Sequence, residues 1–341
     1  MQTALRTALL TLLLATAAVH AAPSVPKAGP ADQEWKLGKA LPHPADNAAT
    51  PARVALGKAL FFDPRLSGNG TVSCASCHHP GLGWSDGQKK SIGINGQRLD
   101  RAAPTIVNVA FNTQFMWDGR ARSLEDQATG PLASPQEMST DFQHMKLMLA
   151  SLEGYRTMFA AAYPGEAVSE RTVAKALAAF QRTVVSRDSR FDQWLGGKRG
   201  AITQQEYRGY QLFKGKANCA ACHSGPNFTD NGFHNIGVAQ GGHEDVGRYK
   251  LRALPSMKGA FKTPTLRDVA LTAPYFRDGS AATLREVVEH YNAGGAQPAP
   301  ANLSPEVRPL QLTPAEVDDL VAFMKTLTGR QKPVTVPVLP Q

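Results

Sequence analysis

Two short stretches hold every cysteine in the chain: SCASCHHP (73–80) and NCAACHSG (218–225). In each, two thiols stand three apart and a histidine follows the second: Cys74, Cys77 and His78, then Cys219, Cys222 and His223. Two small disulfides would suit an exported chain. Loops this short constrain the unfolded chain little, however, and the histidines would go unexplained. Zinc could take thiolate and imidazole donors, and thiol exchange of the thioredoxin kind would need a βαβ setting that neither stretch has. C-x-x-C-H is also the attachment signal for c-type haem: two thioethers to the vinyl groups, and the adjacent imidazole as proximal iron ligand. Two such motifs with no cysteine left over predict two covalently bound haem c groups.

The elements that must carry these motifs repeat. PTIVNVAFNTQFMWDGRARSLED (104–126) recurs as PTLRDVALTAPYFRDGSAATLRE (264–286), offset by 160 residues without a gap. LGKALFF (56–62) before the first motif resembles RGYQLFK (208–214) before the second, and WSD (84–86) matches FTD (228–230). The sequence therefore predicts one haem domain duplicated, the second copy with a longer loop over roughly 224–263. Helical spacing marks 51–62, 145–163, 169–185 and 313–327, the last with Thr313 as N-cap and Pro314 at the first helical position. No strand-like alternation is sustained. The expected fold class is all-α: two duplicated c-type cytochrome domains, each wrapped around one covalent haem, with long Gly/Pro-rich loops. The link falls near 186–200, and the tail QKPVTVPVLPQ reads as extended and peripheral.

The first residues, MQTALRTALLTLLLATAAVHAAP, carry one Arg, an apolar run and small residues ending at Ala21 and Ala22. That is a secretory leader rather than a membrane anchor, since spanning takes roughly 20 apolar residues. The expected organisation is a signal peptide over 1–21, an N-terminal haem domain over 22–190 and a C-terminal one over 191–341, in the periplasm. The net charge is +9, but the 37 Lys and Arg are scattered, with no run of five. This gives no sign of nucleic-acid binding. An acidic redox partner fits an exported basic chain, and plain solubility explains the charge as well.

From about residue 50 to 328 the chain resembles the bacterial di-haem cytochrome c peroxidase and MauG superfamily. The resemblance is carried by LFFDPRLSGNGTVSCASCH, APTIVNVAFNTQFMWDGRARSLEDQATGP, QEM, SRFDQWL, CAACHSGPNFTDNGFHNIG and TPTLRDVALTAPYFRDGS. It implies that hydrogen peroxide reacts at the first haem, held by Cys74 and Cys77 with His78 proximal. Peroxidase members place a removable distal His in the loop before APT; Ile94 stands there in this chain. Glu137 matches the family's acid–base carboxylate, which would move a proton between the peroxide oxygens. Gln127 and Pro131 match distal-pocket positions, and Trp117 matches the tryptophan between the haems. Arg277, the copy of Trp117, stands where the family commonly has His beside a haem propionate, an anion that Arg suits.

The resemblance also assigns the second haem to Cys219 and Cys222, with His223 proximal. Tyr291 falls where peroxidases have a Met ligand and MauG-like members have Tyr; Met257, His234 and His290 are rivals. A phenolate would favour oxidised iron and lower its potential. The family's calcium site maps to the carbonyls of Thr272 and Pro274, with Ala102 in place of the usual Asn, so calcium is a candidate cofactor with waters making up the shell. The function implied is a di-haem peroxidase fed by a small redox protein, a cytochrome c or cupredoxin. The alternative is a MauG-like enzyme that uses peroxide to oxidise a protein or another substrate; the missing distal His and Tyr291 lean toward it. A di-haem electron carrier without catalysis is the third reading, and Glu137 argues against it.

Overall fold

The computed structural model describes residues 24–239 and 244–341. The leader expected over 1–21 lies outside them. The described chain is mostly helical. The first half holds α1 (Pro51–Phe62), the single turn α2 (Cys74–Cys77), α3 (Leu124–Ala133), α4 (Phe142–Ser151), α5 (Glu153–Ala162) and α6 (Glu170–Gln181). The second holds α7 (Arg190–Leu195), α8 (Gln204–Lys214), α9 (Leu284–Asn292) and α10 (Pro314–Lys325). Among the described residues, strands are limited to four two-residue pieces: β1 (Ser186–Arg187) pairs with β4 (Arg330–Gln331), and β2 (Phe233–His234) with β3 (Phe261–Lys262), both antiparallel.

Local chemistry starts most of these helices. Thr50, Ser123, Ser169, Ser189, Thr203, Thr283 and Thr313 each accept a hydrogen bond from a backbone N–H of the first turn. Such a cap is worth about 1 kcal/mol. Proline at the first position of α1 and α10 removes an N–H that would have had no partner. The helix expected over 145–163 is instead two, broken at Leu152, whose backbone is extended (φ −84°, ψ 119°).

Two apolar clusters form, one per half. The first gathers Leu56, Leu60 and Phe61 from α1 with Val173, Leu177 and Phe180 from α6. The second gathers Tyr210 and Phe213 from α8 with Leu320 and Phe323 from α10. Burying each of these side chains contributes about 1.5–3 kcal/mol. In both halves a glycine brings the helices together. A Cβ on Gly57 would lie 1.9 Å from Ala176 O, and one on Gly209 would lie 1.9 Å from Asp319 O. These glycines occupy matching places in LGKALFF and RGYQLFK, so the duplicated motif encodes a duplicated helix crossing.

The segment repeated at an offset of 160 residues folds alike in both copies. Phe115 bridges Ala121 and Tyr275 bridges Ala281. Met116 and Phe276 both have φ 67°, and Asn108 and Asp268 have φ 56° and 59°. A bulky residue in this left-handed region costs about 1–2 kcal/mol, which the surrounding packing must offset.

The two ends of the chain cross over. Trp35, near the start, lies in the second cluster, stacked on Phe228 with centroids 4.8 Å apart. The tail runs back over the first half: Val334 packs on the first cluster, Arg65 Nη2 donates to Pro340 O (2.8 Å) and Gly154 N donates to Gln341 O (2.7 Å). The tail is extended, as the sequence suggested, yet anchored.

Candidate active site

One turn of helix sets out the first motif. Ser76 Oγ accepts from Ser73 N, α2 places Cys74 and Cys77 three apart, and His78 follows at its end with its N–H on Cys74 O (3.0 Å). All three line one cavity that opens to solvent. Its walls include Phe61, Gln127, Pro131, Glu137, Met138 and Gln181. Trp117 is not among them.

His78 Nδ1 lies 3.1 Å from Trp84 O. A carbonyl can only accept, so Nδ1 carries the hydrogen and Nε2 keeps its lone pair for a metal. Burial lowers the imidazole's pKa and so favours the neutral form. Cys74 and Cys77 form no disulfide. Burial pushes Cys74 up to about 12 and Cys77 up to about 11, so both are thiols at neutral pH.

The second motif repeats this geometry. His223 Nδ1 donates to Phe228 O (2.9 Å), His223 N donates to Cys219 O (2.9 Å), and Cys219 and Cys222 are free. Burial depresses His223 to about 4 and pushes Cys219 up to about 12. Two free thiols and a neutral imidazole with Nε2 available, at each motif, fit a covalently held haem, and at the first motif they open onto a largely apolar-walled cavity. Gln127 Oε1 is a further sign: it is buried with no hydrogen-bond partner. An orphaned acceptor costs about 1–3 kcal/mol unless a ligand or water reaches it.

Glu137 is fixed by its backbone. Its N–H donates to Ser134 O (3.1 Å) and its carbonyl accepts from Ile94 N (2.8 Å). Gly93 makes the close approach: a Cβ there would sit 1.9 Å from Gln136 O. Burial raises the Glu137 carboxyl above its ordinary value, with Arg120 and a hydrogen bond from Ser134 opposing. Ile94 is buried against this loop and offers no polar side-chain atom.

Tyr291 sits near the end of α9, and its counterpart Pro131 lines the first cavity. Burial first, then the nearby Cys219 and Cys222, push the phenol's pKa well up. Its rivals are engaged or elsewhere. His290 Nε2 donates to Ile236 O (2.8 Å). His234 Nε2 lies 2.8 Å from Asp230 Oδ2, and its Nδ1 4.0 Å from Glu306. Met257 ends the short turn Pro255–Met257 in the long loop.

Trp117 lies where the halves meet. Its indole Nε1 donates to Ala102 O (2.9 Å), and its carbonyl accepts from Lys262 N of β3 (2.8 Å). Ala102 N donates in turn to Arg277 O (2.7 Å). Trp117 and its duplicate Arg277 are thus joined through one residue. The Arg277 guanidinium stands 4.6 Å over the Phe261 ring and 3.8 Å from Asp245. Sequence reasoning missed the ion cluster around this junction. Arg101 pairs with Asp118 (2.8 Å) and bidentately with Asp245 (2.8 and 2.9 Å), while Arg248 donates to the carbonyls of Asp118 and Gly119. The recurrence of Asp-Gly at 118–119 and 278–279 was the available signal. Thr272 packs against the first half, 3.0 Å from a Cβ built on Gly83. Ala102 offers no side-chain donor for calcium.

Residues 51–200 match the family model described as di-haem cytochrome c peroxidase, and residues 207–328 match that of cytochrome c. The chain is 45% identical over 307 residues to the methylamine utilization protein MauG of Methylorubrum extorquens, covering 90% of this chain and 86% of that one. It is 40% identical over 288 residues to the cytochrome c551 peroxidase of Nitrosomonas europaea, covering 84% and 82%. This chain belongs to the di-haem cytochrome c peroxidase and MauG family. Among solved structures, a MauG-like protein associated with microbial copper homeostasis superposes with a TM-score of 0.79 at 36% identity, covering 86% of this chain and 95% of that one. The all-α, twice-built cytochrome fold and the enzyme class, an oxidoreductase of the di-haem peroxidase and MauG type with haem c as cofactor, follow from this membership. Among the described residues, no helix is long and apolar enough to cross a membrane.

Proposed function

We propose that this chain is a periplasmic enzyme that turns over hydrogen peroxide at the first cavity. The observation that supports it most is that Glu137, buried and held by backbone bonds, lines the same cavity as Cys74, Cys77 and His78. Cys74, Cys77 and His78 would hold one haem, and Cys219, Cys222, His223 and Tyr291 the other. When bound, these haems supply the iron redox chemistry, two electrons per peroxide. The chain's own residues do the rest. Glu137 takes the proton from one peroxide oxygen and returns it to the other, so that two electrons and two protons convert one peroxide to two waters. Gln127 offers its free acceptor to a peroxide hydrogen. Trp117, hydrogen-bonded across the junction, is the aromatic group between the two sites.

The MauG-type use of peroxide, to oxidise a protein or another substrate, is favoured over the plain peroxidase by one observation. Ile94 stands where peroxidases carry a removable histidine, and its backbone is tied to Glu137. In the plain peroxidase a small cytochrome c or cupredoxin supplies the electrons. Calcium at the Thr272 and Pro274 carbonyls is a secondary element, checked by metal analysis of the purified protein. Periplasmic location rests on the leader at 1–21 and on the attachment motifs.

Mixing the fully oxidised, haem-loaded protein with hydrogen peroxide in a stopped-flow spectrometer tests this reading. An immediate change at both haems supports the MauG type. A change only after one electron is added supports the reductively activated peroxidase. No reaction in either state sinks the proposal.

A further inference from the structure

We infer that Gln331 is a positioning residue for His78, acting through Trp84. This rests on the reading of His78 as an iron ligand. The His78 imidazole donates from Nδ1 to Trp84 O (3.1 Å), so the direction of that carbonyl fixes the ring. Trp84 has φ 60°, a conformation a bulky residue holds only when its surroundings enforce it. Its indole is buried, with Phe61 and Phe180 each 6.0 Å away between centroids.

The one polar atom of that indole, Nε1, donates to Gln331 Oε1 (3.0 Å). Gln331 Nε2 donates to Asp268 Oδ2 (2.5 Å). The orientation of the Gln331 amide follows from chemistry. The carboxylate can only accept and the indole N–H can only donate, so nitrogen must face Asp268 and oxygen Trp84. Asp268 is itself buried and also accepts from Ser186 Oγ (2.8 Å) and Gly329 N (2.7 Å). Gln331 lies in β4, whose pairing with β1 brings it opposite Ser186. A path therefore runs from a buried carboxylate of the second half, through Gln331 and the covalent frame of Trp84, to the proximal histidine of the first.

Among the described residues, the second half has no such path. Phe228 has φ 52° and its carbonyl accepts from His223 Nδ1, but its ring carries no polar atom and is held by Trp35 stacking on it. The difference gives an internal control. A hydrogen bond from Nδ1 raises the basicity of the other ring nitrogen toward a metal. Releasing Trp84 should weaken that bond at the first site alone.

The experiment compares the haem-loaded parent with Gln331→Met, Trp84→Phe and the double variant. Haem content is read from pyridine-adduct absorbance, the two reduction potentials by spectroelectrochemical titration, and Tm by circular dichroism. We expect both haems retained, an upward shift of the first haem's potential, and an unmoved second. Trp84→Phe, which keeps an aromatic ring, should give the same shift, and the double variant should add nothing to it. Unmoved potentials with a lowered Tm would reduce Gln331 to a purely structural role and overturn the inference, as would equal shifts at both haems. A parent protein with haem at the second motif only would overturn the reading of His78, and this inference with it.

Discussion

Asn108 and Asp268, which occupy the same place in the two copies, close on a single residue, Ser186. Asn108 Oδ1 accepts from Ser186 N (3.0 Å), Asn108 Nδ2 donates to Ser186 O (3.1 Å), and Asp268 Oδ1 accepts from Ser186 Oγ (2.8 Å). Both have left-handed backbones, which Asn and Asp tolerate better than most residues. The duplicated position has become a two-sided grip on the passage between the halves.

Removing one side of that grip should be costly. Asp268→Ala leaves Ser186 Oγ, Gly329 N and Gln331 Nε2 without their acceptor. With each orphaned donor worth about 1–3 kcal/mol, we expect a loss of about 3–5 kcal/mol. Denaturant unfolding of the haem-loaded protein measures it; a change within 1 kcal/mol, set against that same principle, would contradict the expectation.

Glu137→Gln should slow the peroxide reaction by about 10²–10⁴-fold while leaving haem content unchanged. The pH dependence has a definite sign. Burial raises the folded carboxyl's pKa above its ordinary 4.5, so the folded state binds this proton more tightly than the unfolded one. Stability therefore falls as pH rises from 4.5 through the raised value. Glu137→Gln removes that loss: its Tm should exceed the parent's at neutral pH by more than it does in acid. The parent's peroxide rate should fall on acidification at a pH above the ordinary carboxylate range. A rate that is flat there would remove Glu137 as the base.

Trp117→Phe keeps a ring at the junction but loses the hydrogen bond to Ala102 O. Stability should drop by about 1 kcal/mol. Electron exchange between the haems should slow, with each haem's own spectrum unchanged. Flash-photolysis or rapid-mixing redox kinetics distinguish the two effects. An exchange rate equal to the parent's would leave Trp117 a packing residue.

Tyr291→Phe should change the absorption and spin state of one haem only. Electron paramagnetic resonance of the oxidised protein resolves the two. An unaltered spectrum would remove Tyr291 as the ligand.

Gly57→Ala tests the helix crossing. The added methyl meets Ala176 O, a backbone atom that cannot swing aside. Overpacking of this kind costs about 1–3 kcal/mol, and Gly209→Ala should behave alike in the second half. Thermal unfolding of the two variants gives the comparison, and a stable Gly57→Ala would mean that α1 and α6 can part without penalty.

The features that the sequence displays are those fixed by neighbours along the chain. Pro51–Phe62 and Pro314–Lys325 were legible because their caps and prolines are local. The motifs named the cavity residues around His78 for the same reason, since each sits within a short recognisable string. The break at Leu152 was not legible: leucine favours helix, and the turn is occupied instead by a distant partner, with Gly154 against Pro340 and Gln341. The tail looked peripheral because an extended segment has no periodicity to betray its docking. Gln331 could not be paired with Trp84 from sequence, since 247 positions separate them. Met138 and Gln181 were missed among the cavity walls for want of a motif.

The crossing of the chain's ends sets an order of assembly. Synthesis runs from the amino end, so Trp35 emerges early and must wait for Phe228, nearly 200 residues later, before it has anything to stack on. Gln331, Pro340 and Gln341 emerge late, and they latch a first half whose own residues have long been made. The packing of each half includes side chains from the far end of the chain. A chain interrupted between the copies would carry one attachment motif on an unlatched scaffold and a tryptophan with no partner.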